Sequence, residues 1–508
     1  MPSLLPELDP TAPTTLVAQI AGFYTRAIEA GRLRSGERLP PIREVAAACG
    51  VTRTTVQDAY RQLAERGLVE GTVGRGTTVL VGRRTELGSD PVADTSGAAG
   101  QPLATRLSPY ADAALRRLQE MPGAAPLPPG RPLVANFAEL APDGERFPVD
   151  DWRRAMDAVL QHHGADLLGY GHATNGMPTL RTLLAQRAHE IDPTLTADEV
   201  LVTAGAQQAL DLALRTFCAP GDTVVVTSPS YHQMHGLLRA HGLQVAPVPF
   251  TAAGLDLDAL GRALQRPTVR LVYLMPTFHN PTGRTLDRAA RHALLEVVGH
   301  SPVPIVEDEY QSSLRCRGEA LPTLRSLDRR GLTVTVSTMS KELFPALRLG
   351  WIAGSPDLLR PMAAVKRFMD LETSPLLQAA LVEFITRGCL DRYLDSLRAE
   401  LRLRHAALQQ EARAALPPGC TLTDPDGGFL AWLELPTPGD GDRLAELALA
   451  RGVRVVAGRI FDLHGQPSRG VRLSLTRADR QQIRAGMRVL GDCARELLTA
   501  PAMARPFL

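Results

Sequence analysis

The sequence predicts two unlike folded modules: a small N-terminal helical module closed by a two-stranded β wing, over residues 13–82, and a large α/β domain over residues 133–508. The large domain is expected to carry a mainly parallel sheet and a smaller α+β subdomain at its C-terminal end. Three observations carry this prediction. From residue 200 to residue 340, short β-branched runs alternate with polar loops and helical segments, the pattern of repeated strand-loop-helix units. Charge is uneven: the chain has a formal net charge of +2, whereas Leu16 to Arg84 alone holds eleven Arg against six Asp plus Glu. Between the modules, residues 83–132 shift to Gly, Ala, Pro, Ser and Thr, a composition that buries too little apolar area to hold one shape and reads as a semi-flexible linker. Within it, only Tyr110 to Gln119 has helical spacing.

At 508 residues, about one domain per 150 residues allows roughly three compact units. A hydrophobic content of 44% is ample for a core, and no apolar run reaches the roughly 18 residues that a membrane helix needs. The N-terminal MPSLLPELDP lacks the basic and apolar regions of a signal peptide, so a cytoplasmic protein is expected. The cysteines at 49, 218, 316, 389, 420 and 493 form no CxxC pair, which argues against a zinc site and a disulfide framework.

In the N-terminal module, LVAQIAGFYTRAIEA predicts a helix over 16–30 that ends at Gly31. A second helix is expected from Ile42 to Cys49, and Gly50 closes it. A third opens at Thr52-Arg53-Thr54-Thr55 and runs to Gly67. Two helices joined by a tight Gly-containing turn form a helix-turn-helix, whose second helix enters the DNA major groove by its N-terminal residues. Here those are hydroxyls able to meet phosphates or base edges and a guanidinium able to fork onto guanine. Threonines at a helix start are also ordinary caps, so the reading rests on the order of the elements. Leu68-Val69-Glu70, the turn GTVGRG and Thr77 to Val81 then give the wing, with Arg75 at its tip. A basic module of this kind points to double-stranded DNA as partner.

In the large domain, strands are expected at Val200 to Thr203, Thr223 to Thr227, Val269 to Met275, Val303 to Val306 and Val334 to Val336. Each precedes a polar set, and chemistry in such a sheet collects outside the carboxyl ends of the strands. The last strand leads to Lys341. The chain holds only two lysines, Lys341 and Lys366, among 56 Lys plus Arg. A guanidinium forms no Schiff base near neutral pH, so amine chemistry has two candidates. Lys366, in AAVKRFMD, reads as half of an exposed basic pair on a helix.

Bound pyridoxal phosphate would require an amine, an acid opposite the ring nitrogen, a donor to the ring hydroxyl, a stacking face and a phosphate cradle. The strand ends offer each: Lys341 as Schiff-base amine, Asp308 as the acid, Asn280 and Tyr310 as donors, and Tyr231 as the face. For the phosphate, Gly205-Ala206-Gln207 starts a helix, and Thr338 and Arg348 flank the lysine. Arg472, in VRLSL, is a candidate clamp for an amino-acid carboxylate. Taken singly, Asp308 could be a first-turn acid, Tyr231 a core aromatic and Arg472 a surface strand residue.

Two resemblances follow from these motifs. LPPIREVAAACGVTRTTVQDAYRQLAERGLVEGTVGRGTTV resembles the winged helix-turn-helix of GntR-type bacterial regulators, with Pro41 where that motif has Ser. The resemblance implies DNA contacts at Arg43, Thr52, Arg53, Thr54 and Tyr60, with Arg75 and Gly76 at the wing tip. TAGAQQAL, PSY, HNPTG, EDEY, STMSK with Arg348 seven residues beyond the lysine, and RLSL resemble the fold type I aminotransferases from about residue 136 to 480. YGHATNGMPTLR resembles that family's early segment, which implies that Tyr170 reaches the partner subunit's phosphate. Met339 stands where an aromatic is common in that family. Both resemblances in one chain are similar to the MocR/GabR subfamily, which implies a head-to-tail homodimer whose aminotransferase-like body senses a ligand through its cofactor. The expected function is a pyridoxal-phosphate-dependent transcription regulator responding to an amino compound or a B6 vitamer. The alternative is an active aminotransferase that also binds DNA.

Overall fold

The computed structural model describes residues 5–6, 8, 14–29, 32–33, 36–65, 68–72, 76–79, 107–120, 127–128, 130–171, 173–299 and 301–499. The chain divides into two compact units, residues 1–106 and 107–508. In the first, α1 (Leu16–Glu29), α2 (Ile42–Cys49) and α3 (Arg53–Glu65) enclose a core of Ile20, Tyr24, Val45, Val56, Tyr60 and Leu63. Gly50 ends α2 in the left-handed conformation (φ 64°), its N–H bonded to the Ala46 carbonyl. Thr52 then caps α3, its Oγ1 accepting the Thr55 N–H at 3.2 Å. Strands β1 (Val69–Thr72) and β2 (Gly76–Val79) pair antiparallel, with Val69 opposite Val79 and Thr72 opposite Gly76. The first wing strand thus reaches two residues further than the turn reading allowed. Arg75 and most of the linker lie outside the described residues.

The second unit opens with α4 (Pro109–Glu120), β3 (Ala135–Asn136), α5 (Val149–His163) and α6 (Pro178–Ala188). Its main sheet is built from β4 (Val200–Thr203), α7 (Ala206–Phe217), β5 (Thr223–Ser228), α8 (His232–Ala240), β6 (Gln244–Thr251), β7 (Gly254–Leu255), α9 (Leu257–Leu264), β8 (Val269–Leu274), α10 (Arg288–Val298), β9 (Ile305–Asp308), α11 (Leu324–Leu327), β10 (Thr333–Thr338), α12 (Met339–Glu342) and β11 (Gly350–Ala353). The strand order is β4-β11-β10-β9-β8-β5-β6-β7. The pairs from β10 to β6 are parallel, whereas β11 opposes both its neighbours and β7 opposes β6. Alternate residues enter cores on opposite faces: Val224, Val226, Leu271, Tyr273, Val306 and Val336 on one side, Val225, Val272, Leu274 and Ile305 on the other. A sheet covered on both faces explains the unbroken β-branched runs.

The reversal into β11 was not anticipated. It rests on Arg348 in the left-handed region (φ 51°) and on Gly350, where a Cβ would lie 2.7 Å from the Ser337 carbonyl oxygen and 2.8 Å from the Gly205 Cα. Helices α13 (Pro356–Asp370), α14 (Pro375–Thr386) and α15 (Cys389–Ala415) lead to the smaller subdomain. It comprises β12 (Thr421–Leu422), β13 (Leu430–Glu434), α16 (Gly441–Ala450), β14 (Val453–Arg454), β15 (Val456–Ala457), β16 (Gly470–Ser474) and α17 (Arg480–Thr499). Its sheet order is β12-β13-β16-β15, all antiparallel, while β14 pairs parallel with β3. Phe137, Leu433, Leu473, Met487 and Leu490 fill its core, each such side chain contributing about 1.5–3 kcal/mol on burial.

Two expectations are corrected. Lys366 is not exposed: α13 buries Leu359, Met362 and Lys366, a stripe at helical spacing, and Lys366 Nζ meets Asp370 Oδ1 at 2.8 Å while Arg367 takes the exposed side. The expected linker is not free throughout. Within it, α4 sets the Tyr110 ring edge-on against His241 at 5.2 Å, with the Arg215 guanidinium 5.6 Å from the Tyr110 centroid. Asp211 holds both partners, accepting from Arg215 Nε at 2.8 Å and from His241 Nε2 at 2.6 Å. The helical spacing from Tyr110 to Gln119 was read correctly; that its leading aromatic docks on α7 and α8 was not foreseen. Among the described residues, no helix is long and apolar enough to cross a membrane, and no group of His, Cys, Asp or Glu could hold a metal ion.

Candidate functional site

The polar sets that follow the strands converge on one cavity of about 980 Å³. Ala206, Gln207, Tyr231, Asn280, Asp308, Tyr310, Thr338, Lys341, Arg348 and Arg472 all line it, and Gly205 adjoins it at the β4–α7 turn. Tyr170 does not line it; 70% exposed, it lies on the surface of this chain.

Asp308 closes β9 in the buried floor of the cavity. Its Oδ2 accepts from the Tyr273 hydroxyl at 3.0 Å, and its Oδ1 is buried with no hydrogen-bond partner among the described residues. Burial pushes the carboxyl up to about 7, against the lowering effect of the Tyr273 bond. An orphaned buried oxygen at this position fits an N–H donor such as a pyridinium nitrogen. Tyr273 was missed in the sequence, although a hydroxyl-bearing aromatic in an otherwise aliphatic strand was a usable signal.

Lys341 projects from the short α12, where Thr338 Oγ1 accepts the Ser340 N–H at 3.1 Å. Its Nζ donates to the Leu140 carbonyl at 2.5 Å, and burial, with a smaller contribution from Arg472, pushes it down to about 8. A fraction of the amine is therefore neutral and nucleophilic near neutral pH. Gly205 (φ 100°) opens α7, and a Cβ there would lie 3.1 Å from Arg348 Nη2. Arg348 Nη2 donates to the Ala204 carbonyl at 2.9 Å, so a guanidinium and a helix N-terminus face the same turn, which suits an anion.

Arg472 is not on the surface. Paired with Trp432 across β13–β16, it is 4% exposed, and its Nη2 donates to the Ala138 carbonyl at 2.7 Å. Its Nη1 reaches Asn280 Oδ1 at 3.5 Å, and the guanidinium lies 5.1 Å from the Phe461 ring centroid. Burial pushes it down to about 10, offset in part by Tyr310 and Tyr231, and its Nε has no partner among the described residues. A buried cation with a spare donor at a cavity wall can take a carboxylate. Tyr310 donates to the Phe278 carbonyl at 3.2 Å, and burial pushes the Tyr231 hydroxyl up to about 12.

In the first unit, Arg43, Thr52, Arg53 and Thr54 are exposed on α2 and at the start of α3. Tyr60 is instead in the core: 5% exposed, it donates its hydroxyl to the Pro40 carbonyl at 2.7 Å and packs edge-on against Tyr24. Its hydroxyl is committed inside the module, bracing the segment ahead of α2.

Residues 134–490 match the family of class I and II aminotransferases, and residues 16–79 match the gntR family of bacterial regulatory proteins. The chain belongs to the class I and II aminotransferase family, with a GntR-type helix-turn-helix joined to its N-terminal side. The aromatic-amino-acid aminotransferase 1 of Thermococcus litoralis is 32% identical over 369 residues, 72% of this chain and 88% of that one. Both modules together align with the probable rhizopine catabolism regulatory protein MocR of Rhizobium meliloti, 29% identical over 491 residues, 95% of this chain and 94% of that one. The α-aminoadipate aminotransferase LysN of Thermus thermophilus, solved in complex with N-(5'-phosphopyridoxyl)-L-leucine, is similar with a TM-score of 0.68 and 30% identity, over 77% of this chain and 98% of that one.

Proposed function

We propose that this chain is a transcription regulator whose aminotransferase-like body holds pyridoxal phosphate at Lys341 and reports an amino compound, or a B6 vitamer, to the DNA-binding module. One observation carries the reading: an intact amine–acid pair, Lys341 and Asp308, lines one cavity in the same chain as a helix-turn-helix with Arg53 exposed at the start of its second helix. Bound there, the cofactor would supply an aldehyde for amines and a ring that draws electrons from the ligand's Cα. The chain's own residues supply the rest. Asp308 would keep a proton on the ring nitrogen, Asn280 would donate to the ring oxygen, and Tyr231 would cover a ring face; Tyr310 would add a second donor by turning its hydroxyl from the Phe278 carbonyl. Gly205, Ala206, Gln207, Thr338 and Arg348 would hold the phosphate. Arg472 would orient a ligand carboxylate, and Lys341 Nζ would hold the cofactor at its aldehyde carbon. A ligand biases DNA binding only by the difference in its affinity for the two states of the body.

A head-to-tail homodimer belongs to the same proposal. Leu168, Tyr170, Phe368 and Leu371 are exposed at 68%, 70%, 94% and 50%, and Gly171 N–H to Glu372 Oε1 at 2.7 Å ties their two segments together. So apolar an exposed patch is the mark of a protein interface. A DNA partner would call for a cytoplasmic protein.

The test titrates the purified full chain with amino acids, amines and B6 vitamers, reading visible absorbance beside a gel shift on DNA from its own upstream region. Ligands that move the absorbance band are expected to change DNA affinity; a band that moves while affinity stays constant for every ligand sinks the sensor reading. The second reading, an active aminotransferase, is favoured by the lowered Lys341 amine, which suits proton transfer at the ligand Cα. Steady keto-acid formation over many turnovers with an amino donor and acceptor would establish it.

A further inference from the structure

Lys366 is the second of the two lysines in this arginine-rich chain, and the function above assigns it nothing. Its ammonium is wholly buried and donates to Asp370 Oδ1 at 2.8 Å. Asp370 Oδ2 accepts from Gln208 Nε2 at 2.8 Å, and Gln208 Oε1 accepts the Ala204 N–H at 2.8 Å. The Ala204 carbonyl receives Arg348 Nη2 at 2.9 Å. Hydrogen bonds therefore link the core of α13 to the Ala204 N–H at the β4–α7 turn, and the Ala204 carbonyl, in the next peptide unit, receives Arg348.

We propose that Lys366 is a positioning residue for the phosphate end of the cofactor site. It acts through Asp370 and Gln208 to hold the turn at residues 204–207, and through Ala204 to aim Arg348. The inference rests on the cofactor reading above. A buried ammonium is costly, and an apolar side chain on the same stripe as Leu359 and Met362 would pack without that cost, so packing alone does not account for a lysine here. The charge acts on its neighbour. Asp370 keeps a quarter of its side chain exposed, and the Lys366 ammonium holds it inward with both oxygens engaged. Gln208 has its amide orientation set from both ends, since Asp370 offers only acceptors and the Ala204 N–H is only a donor. Remove the cation, and Asp370 turns to water, Gln208 loses its anchor, and the Ala204 N–H loses its fixed acceptor, which loosens the backbone that presents the next carbonyl to Arg348. An arginine would not serve: its planar fork is longer than the compact ammonium that fits beneath Asp370.

The test compares pyridoxal phosphate with pyridoxal, which lacks the phosphate, in the full-length wild type and in Lys366→Met and Gln208→Met. Each protein is freed of ligand and titrated by the absorbance of the Lys341 adduct. Both variants are expected to lose roughly tenfold or more in affinity for pyridoxal phosphate, the scale for supporting groups behind a ligand shell, while their affinity for pyridoxal is unchanged. Equal losses for the two vitamers, or no loss for either, overturn the assignment. A wild type that gives no band with either vitamer overturns the cofactor reading, and this one with it. Circular dichroism of the ligand-free proteins checks folding; should Lys366→Met fail to fold, Gln208→Met, on a partly exposed side chain, carries the test.

Discussion

A carboxyl group that keeps its proton close to neutral pH is a liability until something positive arrives opposite it, and Asp308 is such a group. Folding raises it from 3.8 to about 7 because burial disfavours the anion, so the native state binds the proton more tightly than the unfolded chain does. Stability from this residue is therefore fully present below the unfolded value and is lost as pH rises through 7. Ligand-free Asp308→Asn should gain thermal stability over the wild type between about pH 5 and about pH 8, and should lose the visible band when pyridoxal phosphate is added. A thermal-shift series against pH reads the first and absorbance the second; parallel melting curves at all pH values refute the account. In the helix-turn-helix, Arg53→Ala should cost roughly 1–3 kcal/mol of preference for operator over random DNA if Arg53 reads a base, measured as a ratio of affinities. An unchanged ratio removes Arg53 from base reading. Lys341 and Asp308 were legible in the sequence because each follows a strand at a chemically distinctive residue. Tyr60 and Lys366 were not, because burial is decided by which helical stripe faces the core, and a basic or hydroxyl side chain on that stripe looks like a surface residue until its partner is known.

At the scale of elements, the parallel strands were legible because burial on both faces demands continuous β-branched runs, and the strand expected from Thr223 fell where it was read, as β5. The antiparallel β11 was not: its reversal depends on Arg348 occupying a left-handed conformation and on the near-contact at Gly350, neither of which has a periodicity to read. Helix α4 is the other element whose placement was hidden. Leu115 and Leu118 remain 43% and 49% exposed, so its attachment depends heavily on Tyr110 between Arg215 and His241. Tyr110→Ala should weaken that attachment by about 0.5–1.5 kcal/mol, the worth of an aromatic pair. Hydrogen exchange over residues 109–120 should then quicken while the main sheet stays protected. Unaltered exchange across α4 would mean that its backbone is held by other contacts.

For the whole molecule, the C-terminal body matches free-standing aminotransferases over most of their length, and an appended module sets this chain apart from them. Phe368→Asp places a charge on the most exposed large apolar side chain of the apolar patch. It should shift a dimer toward monomer in light scattering, and pyridoxal phosphate affinity should fall with it if Tyr170 completes the partner's site; a monodisperse dimer in the variant would place the interface elsewhere.

Docking of α4 also moves the start of the second unit. Helix α4 begins at Pro109, so the second unit starts at residue 107 and not at residue 133. A fragment cut to begin at residue 133 would strip Tyr110 from between Arg215 and His241, so a self-contained body has to be cut ahead of residue 107.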